Sequence, residues 1–282
     1  MLHILIGRAK SGKSETLLRR IAAQGDSGSQ ILLVPEHASH LAEVDLCRVC
    51  GPTASRHAEV LSFRRLADRV LTITGGSADV TLDSGGKLLT LQKALTELSP
   101  QMQVYRRPSQ KPAFLQQLMN LFDEFRCYGV EPETLARAAE EIESATSGKL
   151  RDLSLLYASY EARLRRPGLD ARDHMTRLCE NLEQSRYVDG KDIFIDGFTY
   201  FTAQERRVLE IMLRRAKSVT VTLMGEPNSR GDIFRATRVT EDRLMRLAAK
   251  AGCECREEVL KGAGDTALHH LERCFFRRGY PL

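Results

Sequence analysis

The feature that most constrains how this chain folds lies near its start, where a short apolar run leads directly into a glycine-rich turn. Residues Gly7–Ser14 read GRAKSGKS and fit the pattern G-x-x-x-x-G-K-[ST]. The run Leu2–Ile6 before them is apolar, and Ser14–Ala23 after them places apolar residues on one face of a helix. A strand, a loop and a helix in this order form a cradle in which backbone N–H groups at a helix N-terminus meet a phosphate.

This loop predicts a nucleotide-binding site with ATP and Mg²⁺ as its cofactors. Lys13 is expected to reach the β- and γ-phosphates, and the Ser14 hydroxyl is expected to ligate Mg²⁺. The competing interpretation is a glycine-rich turn without a ligand, and the charges of Arg8 and Lys10 fit a solvated loop equally well. The predicted nucleotide-binding residues are Gly7, Arg8, Ala9, Lys10, Ser11, Gly12, Lys13 and Ser14.

Strand and helix patterns alternate along the first third of the chain, and helix patterns follow one another from about Ser84. No strand-like segment occurs between about residues 84 and 187, and strands return with Lys191–Phe198 and Ser218–Met224. This order predicts one α/β domain with a parallel sheet, interrupted by an all-helical subdomain. The predicted boundaries are 1–83 and 188–282 for the two parts of the α/β domain, and 84–187 for the insertion.

A second candidate site residue follows the apolar run Ile193–Ile195. P-loop ATPases hold Mg²⁺ through an aspartate at the end of such a strand, so Asp196 is a candidate metal ligand together with Ser14. A strand-terminating Asp-Gly turn explains the same residues equally well. The next residue, Gly197, has no side chain that could orient or deprotonate water, and Glu205 belongs to a predicted capping box. The sequence therefore assigns no catalytic residue.

The composition indicates an ordinary globular protein, with 42% hydrophobic and 28% charged residues. No stretch reaches the roughly 18 apolar residues that a membrane span needs, and we expect no membrane partner. Too few residues precede the loop for a signal peptide. Seven cysteines, an odd number without regular spacing, predict free thiols in a reducing cytoplasm.

Paired arginines give the chain candidate contacts to a nucleic acid, although doubled arginines on helices usually only solvate a surface. The net charge of +5 permits such a partner without requiring one. The candidate clusters are Arg64-Arg65, Arg106-Arg107, Arg163 with Arg165 and Arg166, Arg206-Arg207, Arg214-Arg215 and Arg277-Arg278.

Two cysteines, Cys47 and Cys50, have the C-x-x-C spacing of many zinc sites. No second pair follows at the distance that a zinc site needs. We therefore expect both cysteines to pack in the core from one face of a helix.

Four segments follow one another along the chain: Gly7–Ser14, Ile31–His37, Val60–Ala67 and Ile193–Glu205. In this order they resemble motifs of one family, the B subunit of the AddAB-type ATP-dependent helicase/deoxyribonuclease of bacteria, a relative of RecBCD. The resemblance covers essentially the whole chain, but it matches only the N-terminal part of a much longer protein. It implies a RecA-like, superfamily-1 helicase-like fold with an inserted helical subdomain.

The resemblance also implies a function in the repair of double-strand breaks by recombination. In the family, the A subunit supplies the motor, and the helicase-like region of the B subunit is implicated in recognising the Chi sequence in single-stranded DNA. The implied partners are thus the A subunit, as a heterodimer, and single-stranded DNA. The nuclease domain and the iron–sulfur cluster of the family belong to its C-terminal half, so neither is assigned to these residues.

This sequence departs from a working superfamily-1 helicase at several positions. Gly197 stands where a glutamate is expected, and no residue before the first strand supplies the usual adenine-reading glutamine. Gly225–Asn228 replaces the Gly-Asp-x-x-Gln pattern that senses the γ-phosphate, and Lys10 replaces a glycine that is usual in the family. We therefore predict that the chain binds ATP and hydrolyses it weakly or not at all by itself.

Two alternatives remain open at the level of the sequence. The chain could be a small-molecule P-loop kinase, although neither an arginine-bearing lid nor a catalytic carboxylate near the loop is evident. It could also be a scaffold that binds no nucleotide and docks the motor subunit.

Overall fold

In a computed structural model, the chain forms two compact units. Unit 1 comprises Met1–Leu66, Ser185–Phe201 and Val208–Leu282, and unit 2 comprises Ala67–Gln184 and Thr202–Arg207. The described residues are 1–25, 30–75, 82–106, 111–142, 144–164, 174–226, 232–262 and 267–274.

Unit 1 is built on a sheet whose six strands, within the described residues, all run parallel in the order β3-β2-β4-β5-β1-β6. The strand β5 lies between β1 and β4, so the two strands that end in candidate site residues do not touch. The strands are β1 (Leu2–Gly7), β2 (Gln30–Leu33), β3 (Glu59–Leu61), β4 (Asp192–Ile195), β5 (Ser218–Met224) and β6 (Cys255–Val259).

Helices make up most of the remaining described chain. Short 3-10 turns occur at Glu36–Ala38, Gly51–Thr53, Ser99–Gln101 and Asp232–Phe234. The α-helices are α1 (Lys13–Ala23), α2 (Ser39–Cys50), α3 (Ala54–His57), α4 (Phe63–Thr74), α5 (Ser84–Leu98), α6 (Pro112–Tyr128), α7 (Pro132–Glu141), α8 (Ala145–Leu164), α9 (His174–Ser185), α10 (Ala203–Arg215), α11 (Arg235–Lys250) and α12 (Ala267–Cys274).

The central strands are mostly apolar because a parallel sheet is covered on both faces. Every residue of β2 and β4 is buried. The helix α1 closes one side of β1, with Leu17 and Ile21 packed in a cluster that also holds Leu32 and Phe194. At the far edge, β6 is mostly exposed and carries charged residues, a composition that discourages pairing with a foreign strand.

Unit 2 is helical in its described residues, with a core of leucines and aromatic rings contributed mainly by α5, α6 and α8. Phe122 stacks on Tyr157 with the ring centroids 4.8 Å apart. A buried carboxylate, Asp152, accepts hydrogen bonds from the backbone N–H groups of Gln103, Val104 and Tyr105 at 3.0, 2.8 and 2.9 Å. This aspartate orders the segment that follows α5, because it satisfies three donors at once.

Most of the elements predicted from the sequence occur in the structure. The prediction of a parallel α/β sheet is confirmed, and β5 has the predicted bounds, Ser218–Met224. The described residues between 84 and 187 contain helices and no strand. The capping box is present, since Glu205 N–H donates to Thr202 Oγ1 at 3.2 Å and Thr202 N–H donates to the Glu205 carboxylate at 2.7 Å. No helix among the described residues is long and apolar enough to cross a membrane.

Candidate phosphate-binding site

The candidate phosphate loop, Gly7–Ser14, leaves the carboxyl end of β1 and enters the first turn of α1. Its conformation requires glycine at Gly7, because a Cβ there would lie 2.2 Å from Ser11 Oγ and 2.8 Å from the Leu260 carbonyl oxygen. Gly12 precedes α1 with φ +84°, in the left-handed region that only glycine adopts without strain. Both glycines are therefore needed for the curl of the backbone.

The lysine of the loop lies inside this curl. Lys13 Nζ donates hydrogen bonds to the carbonyl oxygens of Gly7 and Arg8, each at 2.7 Å, and to Ser11 Oγ at 3.3 Å. Three oxygens of the loop thus surround one ammonium group. A phosphate oxygen offers the same chemistry with a full negative charge, so it can replace these acceptors with stronger, charge-assisted hydrogen bonds.

Three of the other loop residues are exposed. Ala9 and Lys10 are exposed, and Ser14 is exposed at the start of α1. Lys10 has φ +58°, an unusual backbone conformation for a lysine. Its neighbour Ser11 donates its backbone N–H to the Arg8 carbonyl oxygen at 3.2 Å, which closes the turn.

Asp196 follows β4 with its carboxylate turned toward β5. Thr222 of β5 donates its hydroxyl to Asp196 Oδ1, and the Asp196 backbone N–H donates to the Leu33 carbonyl oxygen at 3.0 Å. Because β5 separates β4 from β1, Asp196 lies about 10 Å from β1 across the sheet, two strand spacings. Because the strands are parallel, Asp196 and the loop both lie at the carboxyl ends of the strands.

Gly197 completes the turn after β4. Its φ of +81° fits the Asp-Gly turn that the sequence offered as an alternative, and a Cβ there would lie 3.3 Å from Pro35 Cδ. A turn and a metal ligand are compatible at this position, since the turn fixes the backbone and leaves the Asp196 carboxylate at the carboxyl end of β4. No group of three or more His, Cys, Asp or Glu residues forms a metal cluster in the described part of the chain.

The profile of one protein family matches nearly the whole chain. The family is described as ADDB, N-terminal, and the match spans residues 4–272. The chain belongs to this family. Its relatives in the family are longer, and the chain spans about a quarter of their length.

Relatives of this AddB N-terminal family member are named as the B subunit of an ATP-dependent helicase/deoxyribonuclease. The protein from Desulforamulus reducens is 36% identical over 303 residues, which cover 100% of this chain and 26% of that protein. The protein from Thermoanaerobacter pseudethanolicus is 35% identical over 296 residues with the same coverage. The protein from Moorella thermoacetica is 34% identical over 303 residues, again covering 100% of this chain and 26% of its own length.

The arginine clusters of this family member divide between ion pairs and exposed positions. Arg65 pairs with Glu43 at 2.8 Å and Arg215 with Asp189 at 2.7 Å, whereas Arg64 is exposed. Arg163 pairs with Glu97. Five arginines of these clusters lie outside the described residues: Arg107, Arg165, Arg166, Arg277 and Arg278.

The prediction for the C-x-x-C pair was correct for the helix and wrong for one of its cysteines. Both lie in α2, and Cys50 packs against the cluster beneath the sheet, but Cys47 is exposed. Residues three positions apart lie about 60° apart around a helix. Cys50 therefore reaches the core, while Cys47 lies next to the exposed Arg48 and Val49. All seven cysteines are free thiols.

Sequence reasoning missed the residues that support the site from other strands. Thr222 holds Asp196, and the Leu260 backbone lies against Gly7, donating its N–H to the Ile6 carbonyl oxygen at 2.7 Å. Glu226 pairs with Arg8 at 3.2 Å. These contacts join residues more than 200 positions apart, except for Thr222 with Asp196, and no local pattern marks them.

Proposed function

We propose that this chain is a nucleotide-binding, helicase-like module from the B subunit of a bacterial helicase/deoxyribonuclease, with a RecA-like, superfamily-1 type of fold. The observation that carries the proposal is the enclosure of Lys13 Nζ by three oxygens of the candidate phosphate loop at a helix N-terminus. We keep the division into 1–83, 84–187 and 188–282 as the proposed domain architecture, and we place the protein in the cytoplasm.

The proposed ligand is ATP with Mg²⁺. Backbone N–H groups of the loop and Lys13 would bind the phosphates, and Ser14 with Asp196 would hold the metal. Mg²⁺ usually keeps several waters and takes only one or two protein ligands, so one hydroxyl and one carboxylate are a sufficient set. The metal would supply neutralisation of the phosphate charge.

We propose that hydrolysis by the isolated chain is near background. Gly197 provides no carboxylate beside Asp196, and the Glu205 carboxylate is hydrogen-bonded to the start of its own helix. Glu36, which follows the neighbouring strand β2, accepts a hydrogen bond from Ser62 on the side of β3. A missing general base typically removes about 10²–10⁴-fold of rate.

Single-stranded DNA is the proposed macromolecular ligand, together with an A subunit that supplies the motor. The name of the relatives, the B subunit of a helicase/deoxyribonuclease, supports both proposals. Tyr200 is 60% exposed, and Phe198 beside it stacks on Phe201 with ring centroids 5.1 Å apart. Phe63, the residue before Arg64, contacts Phe198 edge-on with ring centroids 5.6 Å apart. Base stacking needs aromatic rings, and backbone contact needs positive charges such as the exposed Arg64. Recognition of Chi by this region is the finer proposal.

The proposal of nucleotide binding is tested by calorimetric titration of the chain with Mg²⁺ and a non-hydrolysable ATP analogue. Lys13→Ala should weaken binding about 10- to 100-fold, since it removes a charged hydrogen-bond donor. Lys217→Ala is the matched control, because Lys217 is an exposed lysine at the opposite end of β5. Absence of binding by the wild-type chain up to millimolar nucleotide would instead support a scaffold.

The proposal of weak hydrolysis has its own assay. Phosphate release should stay near background with and without single-stranded DNA. Turnover stimulated by DNA and abolished by Lys13→Ala would contradict it, and phosphoryl transfer to a small molecule would indicate the kinase alternative.

The proposed metal ligand is tested separately. Asp196→Asn should lower the Mg²⁺-dependent part of the nucleotide affinity, while Asp189→Asn, a surface control, should not.

DNA engagement is tested with a labelled single-stranded oligonucleotide. Tyr200→Ala should weaken binding about 5- to 100-fold, the range of one stacked base. The control is Tyr128→Ala, since Tyr128 is 63% exposed in unit 2. Equal effects of the two substitutions would remove Tyr200 from the proposed DNA surface.

A further inference from the structure

Arg8, the first residue after β1, has a set of contacts that a solvated loop residue would not have. Its side chain is only 18% exposed, and its Nη1 lies 3.2 Å from Glu226 Oε2. Its guanidinium carbon lies 5.7 Å from the centre of the Phe234 ring. The guanidinium therefore contacts both a carboxylate and an aromatic face.

Glu226 is fixed beside the candidate phosphate loop through the backbone. Met224, at the end of β5, is the register partner of Gly7, and the following Gly225 N–H donates to the Gly7 carbonyl oxygen at 3.1 Å. Glu226 is the next residue and is 35% exposed in its side chain. The Glu226 carboxylate thus lies next to a loop whose shape suits a polyphosphate. It would repel the negative charge of such a ligand.

The Arg8 guanidinium lies where it can pair with either of these negative groups. An arginine donates in a planar fork that fits a carboxylate and a phosphate equally well. The pair is part-buried, and a phosphate that replaces the carboxylate offers the guanidinium a charge-assisted hydrogen bond of the same kind, so the exchange keeps the charge of Arg8 paired.

We propose that Arg8 is a phosphate-binding residue of the nucleotide site and that Glu226 pairs with its guanidinium until a polyphosphate replaces the carboxylate. A polyphosphate draws the guanidinium away from Glu226, so the carboxylate acts as a built-in competitor that sets the affinity of the site. The ligand class is a nucleoside polyphosphate. This inference rests on the proposed nucleotide binding and deepens it.

The test compares four forms of the 282-residue chain in titrations with Mg²⁺ and a non-hydrolysable ATP analogue. They are the wild type, Glu226→Gln, Arg8→Gln and the double variant. Glu254→Gln is the charge control, because Glu254 forms a more exposed pair with Arg256 at 3.0 Å beside the amino end of β1, away from the loop. Circular dichroism verifies that each form is folded.

Glu226→Gln should bind about threefold more tightly than the wild type, and Glu254→Gln should match the wild type. Arg8→Gln should bind about twofold more weakly than the wild type, whereas the double variant should bind about fivefold more weakly than Glu226→Gln alone, because wild-type Arg8 must give up its ion pair to reach the phosphate. The last comparison is decisive, because an arginine that only neutralised Glu226 would have no effect once that carboxylate is gone.

Other outcomes overturn the inference in distinguishable ways. If the wild type binds but Glu226→Gln does not bind more tightly, Glu226 does not compete with the phosphate for Arg8. If the double variant binds as tightly as Glu226→Gln, Arg8 does not bind the phosphate. An equal gain in Glu254→Gln would reduce the effect to net charge. Binding by Glu226→Gln where the wild type binds nothing would support the competition, whereas binding by neither would overturn both this inference and the proposed nucleotide site.

Discussion

The two units of the chain use their polar groups in opposite ways. In unit 2, Asp152 is 3% exposed and its carboxylate is satisfied by three backbone N–H groups of the chain itself. Arg126, whose side chain is 11% exposed, pairs with Glu161 at 2.8 Å. In unit 1, Lys13, Ser14 and Asp196 lie where strands end and are at least partly exposed.

This difference separates stability from binding. A polar group that is buried and fully paired contributes to the fold, and its loss leaves partners unsatisfied. A polar group at the carboxyl end of a parallel strand can exchange its present partner for a ligand. Substitutions in unit 2 should therefore change unfolding, and substitutions at the strand ends of unit 1 should mainly change nucleotide binding.

The largest effect is expected for Asp152→Asn. The amide turns a donor toward backbone N–H donors and removes the charge that they stabilise, so the free energy of unfolding should fall by about 2–4 kcal/mol. Urea denaturation followed by circular dichroism measures this, since the chain has no tryptophan. Asp123→Asn, at an exposed carboxylate of the same unit, should cost less than about 1 kcal/mol. Similar losses of unfolding free energy for both variants would contradict the proposed difference between buried, paired groups and exposed ones.

A smaller loss is expected for Gly197→Glu, at a strand end of unit 1. The substitution places a side chain at φ +81° and a Cβ 3.3 Å from Pro35 Cδ, so it should destabilise the fold by about 1–2 kcal/mol. ATP turnover should not appear, because one carboxylate does not replace a missing γ-phosphate sensor. Rapid turnover by this variant would show that the glycine alone separates binding from hydrolysis.

Lys10→Gly should have a smaller effect of opposite sign. Lys10 has φ +58°, which costs a non-glycine residue about 1–2 kcal/mol, while glycine loses about 0.5–1 kcal/mol more entropy on folding. The net gain in the free energy of unfolding should be about 0.5–1 kcal/mol, measured by urea denaturation. Lys10→Ala keeps the backbone strain and serves as the control. A loss of stability with glycine would mean that the Lys10 side chain supports the loop.

The smallest effect is expected from His3, near the amino end of β1. Its pKa is lowered by burial, and further by the nearby charges of Arg20 and Arg256. The unfolded chain takes up the proton first, so the contribution of His3 to stability is present above about pH 6.5 and is lost as the pH falls through its folded-state pKa. The free energy of unfolding should therefore fall more steeply on acidification in the wild type than in His3→Asn. Identical pH profiles would assign the acid sensitivity to other groups.

Much of the fold could be predicted from the sequence because its strands and helices have strong local patterns. The β-branched run of β5 and the capping box of α10 are decided by neighbouring residues. The sequence pattern alone predicts a helix from Thr240 to Ala251, whereas α11 begins at Arg235. Its first turn has no side-chain cap, so no start signal of the usual kind marks it.

The candidate site was predictable only where one segment contains it. The loop is continuous, so its residues could be named from their spacing. The order of the strands could not be read, and with it the position of β5 between β1 and β4. The partners of Arg8 and Asp196 depend on that order, since Glu226 and Thr222 both come from β5 or its end.

The central place of β5 has a consequence for genetics. Through Gly225 it is bonded to Gly7 at one flank, and through Thr222 to Asp196 at the other. A substitution that tilts or shifts this strand moves both flanks together, although none of its own side chains is proposed to touch a nucleotide. A screen for lost nucleotide binding should therefore recover alleles in β5, and second-site suppressors should arise in α1 or β4.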